Sequence, residues 1–165
     1  MPDPPLFPRD PDARARVEDA ERWGEQVLQP VPRRLFRWLL LTQQSARAWM
    51  GSEVMRLPAV SMLVPFFMPA IRRLAAISHA DEARVRADIE RLPELLDHVD
   101  ALIADATIGG AEPNAADFQI LSSVRVLLEF EDLTQLLDGR ACAPAARLLF
   151  PHWAGPIPRG LPGLS

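Results

Sequence analysis

Apolar positions recur every three or four residues along almost the whole chain, which is the spacing of helices that bury one face. Asp10 followed by Pro11 predicts a helix start, because Asp accepts a hydrogen bond from an orphan N–H and Pro lacks one. The apolar stripe of this first helix comprises Val17, Ala20, Gly24, Val27 and Leu28, before Pro30 and Pro32. A second helix is predicted to end near Gly51, with one side formed by Leu35, Trp38, Leu39, Thr42, Ala46 and Trp49.

Three prolines interrupt the next segment, 58–78, which predicts a third, kinked helix. Ser78 and Asp81 then have the spacing of a capping box. The helix that follows is predicted to reach about Asp105, and Pro93 is expected to kink it or split it.

The segment 115–130 is apolar on most sides, and between Asp117 and Glu129 its one charged residue is Arg125. Such a helix belongs in the middle of a bundle. Short helices are predicted at 133–137 and 143–150. With no alternating, strand-like run, the sequence predicts an all-α bundle of about five to seven helices over residues 11–150. A linker-like segment, 1–10, precedes it, and an irregular tail rich in Pro and Gly, 151–165, follows it.

Composition narrows the classes of function. The 165 residues suit one domain, and all 18 basic residues are Arg, so a Schiff-base or P-loop lysine is excluded. The net charge of −4 argues against a nucleic-acid partner. The longest uncharged stretch, 57–71, is shorter than the ~20 residues of a spanning helix, so no membrane partner is expected. We expect a cytoplasmic protein without a signal peptide.

The most informative stretch runs from Ile108 to Phe118 and reads IGGAEPNAADF. Asn114 is predicted to cap a helix by accepting from the N–H of Asp117, while the Asp117 carboxylate reaches back to the N–H of Asn114. Pro113 and Phe118 have the spacing of a hydrophobic staple across the same turn.

This capping box after a glycine-containing loop resembles the C-terminal all-helical domain of glutathione S-transferases. The opening Pro4-Pro5-Leu6-Phe7-Pro8, followed by an acidic and Arg-rich helix, is similar to the linker and fourth helix of that family. The resemblance covers most of the chain, but no counterpart of the thioredoxin-like domain, which binds glutathione and supplies the catalytic side chain, is present.

The resemblance therefore implies a domain that contributes the hydrophobic co-substrate pocket for thiol transfer to small electrophiles and has no catalytic residue of its own. We expect no cofactor in this chain, and glutathione as co-substrate where the missing domain is present. The implied partners are a thioredoxin-like domain in cis or a second copy of the chain, and a small hydrophobic electrophile. The alternative is a free-standing, non-catalytic helical module that binds a ligand or a protein. Because Met1 lies in a linker-like segment, we suspect a start assigned inside a longer reading frame.

Candidate binding residues are the arginines that cluster at the start of the second helix, Arg33, Arg34 and Arg37. One of them is expected to pair with a carboxylate of glutathione, unless they pair with acids of the segment 81–140 instead. An apolar pocket is expected to draw on Trp38, Phe66 and Phe67, together with Trp49, Met50, Met62 and Met68, unless these side chains are ordinary core.

The remaining candidates for chemistry are one cysteine and three histidines. Cys142 lies near the start of the last short helix, where the helix dipole lowers a thiol pKa, but no His is near it in sequence. His79, His98 and His152 do not have the spacing of metal ligands, so no metal site is expected.

Overall fold

The computed structural model describes residues 6–56 and 60–164, except for the side chains of residues 60–65. In this part of the chain seven helices, numbered α1 to α7 below, pack with shorter helical turns around one apolar core. The strand-like pairing among these residues is a single parallel bridge between Phe130 and Ile157. The all-α bundle predicted from the apolar periodicity is confirmed.

The first two helices follow one another almost without interruption. Helix α1 spans Pro11–Trp23, continues as a π-helical turn over Gly24–Leu28, and is followed by α2 at Pro30–Thr42. Asp10 caps α1 as predicted, accepting from the N–H of Ala13 at 2.8 Å. No side chain fits at Gly24, because a Cβ there would lie 2.7 Å from Cγ1 of Ile120. The π-helical turn therefore lies directly against the helix that carries Ile120.

The second predicted helix is broken at Gln43, whose backbone is extended, so the expectation of one helix to Gly51 was wrong. Helix α3 spans Gln44–Trp49 and passes into a π-helical turn over Met50–Val54. A guanidinium N–H of Arg47 donates to the carbonyls of Leu40 at 2.9 Å and Leu41 at 3.2 Å. These bonds satisfy carbonyls at the end of α2, which have no partner within the helix.

Helices α4 and α5 span Val60–Ile77 and Glu82–Ala104. The capping box predicted at Ser78 and Asp81 was wrong, because the Ser78 hydroxyl donates back to the carbonyl of Leu74 at 3.0 Å. Asp81 alone caps α5, accepting from the N–H of Arg84 at 2.9 Å. Helix α5 continues through Pro93 without being split.

Helix α6, Ala115–Leu127, contacts α1, α2 and the last helix, α7, at Cys142–Leu149. It buries residues on most of its circumference, including Ile120, Leu121, Val124, Arg125 and Leu127. A short 3-10 turn at Glu131–Leu133 and a one-turn helix at Thr134–Leu137 connect α6 to α7. The central position predicted for this helix from its low charge is thus what the structure shows.

The C-terminal segment, residues 151–164, contains no helix but is anchored to the bundle. The N–H of Ile157 donates to the carbonyl of Glu129 at 2.6 Å. The N–H groups of Gly160 and Leu161 both donate to one carboxylate oxygen of Asp132, each at 2.8 Å. The side chains of Ile157 and Leu161 are buried in the core. This segment therefore forms part of the folded domain and a wall of the pocket described next.

Candidate ligand-binding pocket

The capping box at the start of α6 is present and buried. The Asn114 side chain accepts from the N–H of Asp117 at 3.2 Å, and the Asp117 carboxylate accepts from the N–H of Asn114 at 2.9 Å. The second carboxylate oxygen of Asp117 accepts from the N–H of Gly109 at 2.6 Å, which ties the glycine loop to the helix. Phe118 is 43% exposed and its ring lies 6.4 Å from that of Phe150. This box fixes where α6 begins.

An apolar pocket of about 530 Å³ opens between the start of α2, the turn after α3, the middle of α6 and the C-terminal segment. Helix α2 contributes Pro32 and Phe36, helix α3 contributes Trp49, and the π-helical turn after α3 contributes Met50 and Val54. Helix α6 contributes Val126, and the other wall consists of Phe150, Trp153 and Ile157. The volume and the apolar, aromatic lining are those of a small-molecule site.

Arg125 lies buried at the side of this pocket formed by α6 and the C-terminal segment. Its guanidinium forms an ion pair with Glu129, one turn further along α6, and its Nε donates to the carbonyl of Phe150 at 2.8 Å. The same guanidinium carbon lies 5.5 Å from the centre of the Trp153 ring, a cation–π distance. Arg125 thus holds the C-terminal wall against α6, and Glu129 neutralises its charge.

The other polar residues that line the pocket are Gln29, Arg33, Trp49, Ser122 and Ser123. The two serine hydroxyls donate to the carbonyl of Gln119 at 3.2 and 3.3 Å, whereas Arg33 and the indole N–H of Trp49 have no partner among the described residues. Arg33 is exposed and forms no ion pair there. The indole N–H of Trp49 is buried and makes no hydrogen bond. Phe36 connects the two positions, because it lies one helical turn from Arg33 and its ring is 6.1 Å from that of Trp49.

Comparison with known proteins assigns no role to this pocket. No protein-family model, no curated protein and no solved structure matches the chain. The resemblance to glutathione S-transferases therefore stays a prediction from the sequence.

The three candidate arginines lie in three different environments. Arg33 lines the pocket, as described above. Arg34 forms a largely buried ion pair with Asp88 of α5 and donates to the carbonyl of Ser78 at 3.0 Å. A guanidinium N–H of Arg37 donates to the carbonyl of Leu74 at 3.4 Å. Arg34 therefore joins α2 to α5, and of the three candidates Arg33 alone lines the pocket.

The apolar candidates fall into two groups, those that line the pocket and those that do not. Trp49 and Met50 line the pocket, whereas Trp38 and Met68 pack against the core. Phe66 is 80% exposed and Phe67 is 39% exposed on α4, and neither contributes to the pocket. The side chain of Met62 lies outside the described residues. Sequence reasoning missed Phe36 of α2 and Val126 of α6. It also missed Phe150, Trp153 and Ile157, since the placement of the C-terminal segment leaves no periodic signal.

Cys142 is the first residue of α7 and is completely buried. Burial raises the pKa of its thiol to about 12, and the negative charge of Asp100 adds to the effect. No group of His, Cys, Asp and Glu suited to a metal ion occurs among the described residues. None of the helices in the described part of the chain is long and apolar enough to cross a membrane.

Proposed function

We propose that this chain is a helical domain that binds an apolar small molecule, and that in a glutathione S-transferase-like protein it supplies the pocket for the hydrophobic co-substrate. The observation that carries the proposal is the pocket of about 530 Å³ with aromatic and aliphatic walls. Aromatic and Met side chains adapt to ligands of varied shape, as a domain that receives many small electrophiles requires.

The thiol chemistry belongs elsewhere in this proposal. Cys142 is buried and stays protonated near neutral pH, so it is not a nucleophile. The apolar walls do not match glutathione, a polar tripeptide, which would instead bind to a thioredoxin-like domain in cis or on a partner subunit. This chain would then hold the electrophile while the thiolate of glutathione attacks it.

One observation favours the alternative, a free-standing ligand-binding module. The C-terminal segment, which forms one wall of the pocket, is anchored within this chain by the carboxylate of Asp132 and the carbonyl of Glu129. Both versions of the proposal predict binding of an apolar ligand by the isolated chain.

The test is a titration of the purified chain with N-phenyl-1-naphthylamine, a neutral probe whose fluorescence rises in apolar sites. We expect saturable binding to one site. Val126→Trp should weaken it at least tenfold, because the indole fills the pocket. Leu148→Trp, which adds the same ring at a position that is 84% exposed and outside this pocket, should leave binding unchanged. Equal affinity of both variants would overturn the proposal.

A second experiment separates its two versions. Mixed with glutathione and 1-chloro-2,4-dinitrobenzene, the chain alone should give the background rate of conjugation. The DNA upstream of Met1 then discriminates: an in-frame segment encoding a βαβ unit with a Pro-centred turn supports the transferase domain, and a nearby stop codon supports the free-standing module. Enzymatic turnover by the chain alone would contradict both versions.

A further inference from the structure

We infer that the ligand of this pocket is an amphipathic anion, with an apolar body between α2, α6 and the C-terminal segment and one carboxylate or sulfonate group bound by Arg33. This inference rests on the proposed function, since it names the class of ligand that the same pocket takes.

The first evidence for an anionic ligand is the set of charged residues around the pocket. Two arginines line it, and no Asp or Glu is among its described lining residues. The charge of Arg125 is neutralised by Glu129, and its Nε donates to the carbonyl of Phe150. Arg33, in contrast, has no ion-pair partner in the described part of the chain. The uncompensated charge of the pocket is therefore positive and lies at Arg33.

The second feature is the placement of Arg33 beside the apolar lining. Arg33 is exposed and lies one helical turn from Phe36 on α2, and both residues line the pocket. A guanidinium binds a carboxylate or sulfonate through two parallel N–H donors. An amphipathic anion therefore pairs with Arg33 while its apolar body contacts the walls, whereas a hydrocarbon leaves the guanidinium without a partner.

The test compares two probes that share one apolar body. N-phenyl-1-naphthylamine is neutral, and 8-anilinonaphthalene-1-sulfonate carries the same rings with one sulfonate. We expect the sulfonate to bind about threefold to fivefold more tightly at low salt, the size of effect for a partly exposed charge pair. Arg33→Gln should abolish that preference, so that the ratio of the two affinities falls to about one. Arg37→Gln, one turn away on the same helix and outside the pocket, should preserve the preference.

The outcomes separate this inference from the proposed function. Saturable binding of the neutral probe with no gain from the sulfonate, or a gain that survives Arg33→Gln, overturns the inference and leaves the proposed function standing. Absence of binding by the neutral probe overturns the proposed function itself. Displacement of the sulfonate probe by millimolar glutathione also overturns the inference, because it would assign Arg33 to a carboxylate of the tripeptide.

Discussion

The Nε of Arg125 donates to the carbonyl of Phe150 at 2.8 Å, across 25 residues of sequence, and so joins the central helix to the C-terminal segment. The same guanidinium pairs with Glu129 in a buried position. Arg125 therefore has one role in stability and another in shaping the pocket wall.

Replacing Arg125 by Met should lower the free energy of unfolding by about 3–5 kcal/mol, because it leaves the Glu129 carboxylate buried and unpaired. The measurement is urea denaturation at pH 7. The double variant Arg125→Met/Glu129→Leu should recover most of the loss, since both charges are then removed together. A single variant as stable as the parent protein would show that the pair is not buried in solution.

Removing the carboxylate of Asp132 should release the C-terminal segment, since that carboxylate accepts from two backbone N–H groups of the segment. We expect Asp132→Ala to lose about 1–3 kcal/mol of stability and to be cleaved faster by protease after residue 150. Asp138→Ala, which removes an exposed carboxylate without a side-chain hydrogen bond to the described residues, is the matched control. Equal cleavage of the two variants would contradict the anchoring role.

The buried capping box should matter more than an exposed cap. Asp117→Ala leaves the N–H groups of Gly109 and Asn114 without their acceptor, for a loss of about 2–3 kcal/mol. Asp81→Ala removes the exposed cap of α5 and should lose about 1 kcal/mol. Chemical denaturation of both variants measures the difference, and a larger loss for Asp81→Ala would refute this ranking.

Cys142 should be inert in the folded protein, because a thiol with a pKa of about 12 is almost wholly protonated at pH 8. A thiol-reactive chromogenic disulfide should label it slowly in buffer and rapidly in urea. The raised pKa also makes stability fall as pH rises above about 9, where the unfolded thiol loses its proton and the folded one keeps it. Rapid labelling of the native protein would contradict the burial of this side chain.

The bundle was largely predictable, because it depends on local signals. The apolar stripe from Val17 to Leu28 and the capping box at Asn114 are each predicted by residues within a few helical turns of one another, and the structure contains both. The break between α2 and α3 at Gln43 was not predictable from the sequence, since the residues on both sides of it continue the apolar spacing. The guanidinium of Arg47 donates a hydrogen bond to a carbonyl at the end of α2. The apolar periodicity of the sequence does not predict this contact.

The pocket was predictable only in part. Arg33, Trp49 and Met50 belong to it and were found from residue type and clustering. Trp153 and Ile157 were not found, since they lie in an irregular segment whose path depends on hydrogen bonds to residues 20 to 30 positions earlier. The one basic residue of α6, Arg125, was the available signal, because a buried Arg requires partners.

The central claim is that an apolar ligand binds between α2, α6 and the C-terminal segment. The chain has four Trp residues, whose indole N–H signals can be assigned in a ¹H–¹⁵N spectrum from Trp→Phe variants. On titration with N-phenyl-1-naphthylamine, the signals of Trp49 and Trp153 should shift together and saturate. The signal of Trp23, which packs against His98 outside the pocket, should stay in place. Saturable binding that moves the Trp23 signal and leaves those of Trp49 and Trp153 unchanged would contradict the claim.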